Sequence, residues 1–181
     1  MNLKFRILPV LAIIAMLATV TVATVSADNW GEGNGEWDIS QVQPAYEAVG
    51  WGTPVRKADT GEIVPYAVFE AEFAPQGRFT DMHVQGTSMA PFINETDLVF
   101  VIWHPLELGI EVGVGDVIGF AQNDSPYGDC RATHRVTSVV GDIGFRTRGD
   151  NTYISDRCIV ENRNVIYKVV GIADGYFLEN E

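Results

Sequence analysis

From Glu62 onward the chain runs through short stretches rich in β-branched and aromatic residues, and no long amphipathic helical pattern separates them. These are "IVPYAVFEAEF", "DLVFVI", "GDVIGFA", "ATHRVTSVV", "IGFRTRG" and "NVIYKVVGIADGYFLE". Each is bounded by Gly, Asp, Asn or Pro, the residues that end strands in tight turns. Without alternating helical units a parallel βαβ construction is excluded. The expectation is a mainly β domain over residues 62–181, built as a folded, barrel-like antiparallel sheet. A chain of 181 residues holds one such domain comfortably, with a core that needs neither metal nor several disulfides. Residues 28–61 read as a polar, glycine-rich tether and lead-in, with a short helix expected over Pro44 to Trp51.

The first 27 residues differ in kind. Lys4 and Arg6 precede an uncharged, largely apolar stretch from Ile7 to Val25, followed by Val25-Ser26-Ala27 in the manner of a small-residue cleavage site. Nineteen residues serve either as the core of a signal peptide cut after Ala27 or as a membrane anchor. In both cases the expected location of the domain is extracytoplasmic, anchored through residues 7–25 or secreted after cleavage. Trp30 and Trp37 sit in the tether, where indoles suit either a membrane boundary or packing on the domain.

The formal net charge is -12, and becomes -14 once the leader with its two basic residues and no acid is set aside. Phosphate recognition needs a basic surface, so a nucleic-acid partner is excluded. The two cysteines, Cys130 and Cys158, both follow the leader; in an oxidising compartment they suggest one disulfide. No zinc-ligand spacing occurs, and no metal or organic cofactor is expected.

One turn stands out chemically. "QGTSMAPFI" places Ser88 among small residues ahead of Pro91, where a hydroxyl can be exposed and another backbone can come close, a pattern that fits a nucleophile and an ordinary turn alike. The G-x-S-x-G elbow is not the right description, because it needs a strand-turn-helix inside βα units. A nucleophilic serine needs a base. Lys57 and Lys168, the only lysines after the leader, lie outside the central strands, while His83 and His104 read as local or surface imidazoles. His134 lies in "ATHRVTSVV", a strand that turns at Gly141-Asp142 into "IGFRTRGDNTYISD" and so meets acidic groups on the returning segment. Asp142 reads as a turn residue; pattern alone leaves Asp150 and Asp156 unranked as partners of His134.

Together, "GTSMAPFI", "GVGDVIGF" and "THRVTSVVGDIGFRTRGDNTYISD" resemble signal peptidase I, in its endoplasmic-reticulum and archaeal branch, which uses histidine where the bacterial branch uses lysine. The likeness covers about residues 85–156 and implies a serine endopeptidase, beside a membrane surface, that cleaves signal-peptide-bearing preproteins after small residues. By motif match Ser88 is the nucleophile, with its backbone N–H a first oxyanion donor; His134 is the general base, Asp156 orients it and Asp150 supports the site. Two departures bear on the substrate. Gly86 stands where much of the family has a serine, and the segment between leader and Ser88 is long, with no second membrane stretch. A peptidase with one dedicated substrate and a non-catalytic β binding module are the alternative readings.

Overall fold

The computed structural model describes residues 49–126 and 128–175. Nine strands form one antiparallel sheet: β1 (Pro54–Lys57), β2 (Ile63–Pro65), β3 (Phe79–His83), β4 (Leu98–Trp103), β5 (Val117–Gln122), β6 (Cys130–Val140), β7 (Gly144–Arg148), β8 (Val160–Glu161) and β9 (Val165–Ala173). A single α-helix among the described residues, α1 (Tyr66–Phe73), follows β2.

The strand β9 organises the sheet. One of its edges pairs with β4 from Trp103↔Tyr167 to Leu98↔Ala173. The other is divided, with β5 pairing through Ile118↔Lys168 and β1 through Arg56↔Ile172. From β5 the sheet continues through β6 and β7 to β8, while β3 hangs on β4 alone. This topology corrects the expected barrel. A barrel closes one continuous ladder on itself. Here the ladder forks at β9, and its outer strands β2, β3 and β8 each pair with only one neighbour, so the sheet stays open.

The run "IVPYAVFEAEF" also folds differently from its expected strand. Only Ile63–Pro65 is extended; Tyr66–Phe73 is helical, with Pro65 in the extended conformation at its entry. Tyr66, Phe69 and Phe73, spaced by three and four, are the buried residues of the helix and share one face. That face joins Leu98, Phe100 and Ile102 in one cluster, while Val99, Val101 and Trp103 of the same strand point into another. All six residues of β4 are therefore buried, three towards each face. A third cluster, of Ile118, Phe120, Val136, Phe145 and Val160, lies under β5 to β8.

No helix of the described residues is long and apolar enough to cross a membrane, so the expected membrane anchoring finds no support among them. The leader, Trp30, Trp37 and residues 44–48 of the expected short helix lie outside the described residues; Trp51 stands in a turn.

Candidate active site

Ser88 lies on the connection from β3 to β4. Met89 and Ile93, each only 1 % exposed, anchor this connection in the cluster that also holds Val99 and Val101. Burying two such side chains contributes about 1.5–3 kcal/mol each. Around them the backbone folds tightly, with Ala90 N–H donating to Thr87 O (3.2 Å) and Ile93 N–H to Met89 O (3.0 Å). Gly86, at φ +94°, takes the left-handed turn that precedes the serine. Ser88 itself, between exposed Thr87 and buried Met89, stays partly accessible.

His134 occupies the point on β6 where the strand exchanges partners: residues up to Arg135 pair with β5, and Arg135 onward with β7. Its ring is buried, edge-on to Phe120 at 6.4 Å between centroids. Beyond β7 the chain loops and returns so that Asp156 N–H donates to Thr147 O (2.9 Å). This return places Asp156 Oδ2 2.7 Å from His134 Nδ1, while His134 Nε2 lies 2.9 Å from Ser88 Oγ. A carboxylate only accepts, so Nδ1 carries the proton and Nε2 turns a lone pair towards the serine hydroxyl. An imidazole held in this tautomer is set to take a proton from Ser88.

Asp150 is placed elsewhere. It receives Arg135 through two parallel bonds, Nε to Oδ1 at 2.9 Å and a terminal nitrogen to Oδ2 at 2.6 Å, whereas the hydrogen bonds of His134 go to Asp156 and Ser88. Arg135 also donates to Gly115 O (2.7 Å) and lies 4.2 Å from the centre of the Phe92 ring. A second guanidinium, that of Arg56, sits 4.6 Å from the same ring and donates to Phe92 O (2.7 Å). Asp150 is thus tied to the serine turn through Arg135 and Phe92, which follows Ser88 by four residues.

Three residues of the site are not singled out by motif reasoning. Gly149 carries no side chain because none fits: a Cβ there would stand 2.6 Å from Ser88 O and 3.0 Å from His134 Nε2. Asn151 grips the serine turn, its N–H donating to Ser88 O (2.8 Å) and its amide to Thr87 O (3.1 Å). Thr147 donates its hydroxyl to Asp156 Oδ2 (2.6 Å). The available signal was a glycine directly after a strand, which marks close backbone approach.

The Ser88 N–H makes no hydrogen bond among the described residues, whereas the Gly86 N–H is engaged by Glu95 Oε1 at 3.0 Å. Cys130 and Cys158 form a disulfide, joining the start of β6 to the segment just past Asp156. The other imidazoles and both lysines have their own partners: His83 faces Asp97 O (3.1 Å), His104 lies 3.7 Å from Glu107, Lys57 binds Glu72 and Lys168 binds Asp116. Among the described residues no three His, Cys, Asp or Glu side chains are grouped to hold a metal ion. Compared with known proteins, the chain matches no family model, no curated protein and no solved structure.

Proposed function

We propose that the protein is a serine endopeptidase resembling signal peptidase I, acting on leader-bearing preproteins after small residues. The observation that carries this reading is the continuous chain Asp156 Oδ2, His134 Nδ1, His134 Nε2 and Ser88 Oγ, with links of 2.7 and 2.9 Å. In the reaction His134 takes the Ser88 proton as Oγ attacks the scissile carbonyl, then returns it to the leaving amine. Asp156 keeps the imidazole in the productive tautomer and stabilises the imidazolium. The Ser88 N–H, which makes no hydrogen bond among the described residues, supplies the first donor to the tetrahedral oxyanion in this reading. The substrate class rests on the resemblance of residues 85–156 alone.

A second reading, a β module that binds without cleaving, draws on Gly86. This residue has no hydroxyl, and its N–H is already taken by Glu95. The test compares the full chain with Ser88→Ala and His134→Ala forms on a preprotein bearing an Ala-x-Ala site, reading products by mass spectrometry and Ser88 acylation by a fluorophosphonate probe. Cleavage by the parent and loss of most activity in both variants is the expected result. Neither cleavage nor labelling of the parent would leave the binding module. Labelling without cleavage would point to a peptidase with a single dedicated substrate.

A further inference from the structure

Thr147 has no exposed surface, yet it carries a hydroxyl into the cluster around His134. It lies in β7 opposite Val136 of β6, on the face that β7 turns inward, between exposed Arg146 and Arg148. Two bonds join it to Asp156: its carbonyl accepts the Asp156 N–H at 2.9 Å, and its hydroxyl donates to Asp156 Oδ2 at 2.6 Å. That oxygen is the one His134 Nδ1 also reaches, at 2.7 Å. The carboxylate therefore receives two donors on a single oxygen, from two different strands. A lone His134 contact would let the carboxylate swing about its own χ2, a broad torsion with little intrinsic preference. A second donor from a rigid, fully buried strand position removes that freedom, and a donor to a charged acceptor is among the stronger hydrogen bonds.

We propose that Thr147 is a positioning residue: its hydroxyl fixes the Asp156 carboxylate and, through it, the orientation and tautomer of His134 towards Ser88. The inference rests on the serine peptidase reading for its consequence in catalysis, while its geometric content stands apart from any substrate. Thr147 is also a packing residue in a tight place, so the test has to separate hydroxyl from volume. Thr147→Val keeps the shape and removes the donor; Thr147→Ser keeps the donor and removes a methyl group.

In the full-length protein two readouts are compared, the rate of Ser88 acylation by a fluorophosphonate probe and the downfield proton resonance of His134 Nδ1–H. The expected result is acylation slowed roughly 10-fold or more in Thr147→Val, with the Nδ1–H resonance shifted or broadened by exchange, and near-parental behaviour on both counts in Thr147→Ser. Parental behaviour of Thr147→Val, or a larger defect in Thr147→Ser than in Thr147→Val, would overturn the proposal, because volume and not hydroxyl would then be what matters. If the parent protein itself is not acylated, the peptidase reading fails. The Nδ1–H resonance then decides the positioning role alone, and an unchanged resonance in Thr147→Val overturns it.

Discussion

Asp81 offers a test of the fold that needs no substrate. It lies in β3 opposite Phe100, 1 % exposed, and neither carboxyl oxygen accepts a hydrogen bond from another residue. Burial pushes its pKa from 3.8 up to about 7, against a smaller opposing pull from its own backbone N–H. The nearby Tyr66 phenol is held well above its ordinary value, chiefly by burial, with Glu70 and Asp81 adding to the effect. The folded protein thus binds a proton at Asp81 that the unfolded chain releases near pH 4. Stability from this group is fully present below about pH 4 and falls as pH rises towards 7, by about 1.4 kcal/mol per unit, then levels off. Between pH 5 and pH 8 the loss is about 3 kcal/mol. Asp81→Asn removes the titration and keeps the shape. The assay is urea unfolding of parent and variant across pH 5–8. Other titrating groups act on both proteins, so the difference between the two curves isolates Asp81, and the variant should gain on the parent by about 3 kcal/mol over that range. A difference constant to within about 0.5 kcal/mol would refute an unpartnered buried acid at this position.

Two further outcomes concern the site. Gly149→Ala would drive a methyl group between Ser88 O and His134 Nε2, forcing them apart by several tenths of an ångström or more; Ser88 acylation should slow about 100-fold while far-ultraviolet circular dichroism stays unchanged, since misplacement of this order costs rate before fold. The disulfide closes a sequence separation of 28 residues. Reducing it, or replacing both cysteines by serine, should lower the unfolding free energy in urea by about 3.5 kcal/mol; a loss under 1 kcal/mol would show that the Asp156 segment is held by its hydrogen bonds to Thr147 without help from the crosslink.

What the sequence makes legible here divides along the line between local and non-local information. The β-branched runs that become β4, β5, β6, β7 and β9 announce themselves because strand propensity and turn residues act over a few positions. The segment 66–73 misleads because partial alternation over so short a span also satisfies helical spacing, and burial of Tyr66, Phe69 and Phe73 against β4 decides for the helix. The open sheet is invisible locally, because it follows from β9 taking three partners at once.

At the site, Ser88 and His134 are recognisable by their chemistry, although 46 residues separate them. The order of the two aspartates is not, because it is settled by strand parity. His134 and Arg135 are neighbours on β6 and point to opposite faces, so the buried imidazole meets Asp156 while the guanidinium turns outward to Asp150. The same alternation puts Thr147 and Gly149 inside, and Arg146, Arg148 and Asp150 outside. A slip of one residue between β6 and β7 would exchange these faces, presenting Arg135 to Asp156 and carrying His134 away from Ser88. The bulge between Val136 and Ser138, two residues from His134, holds the register against that slip. It belongs to the machinery of the site as much as the side chains do.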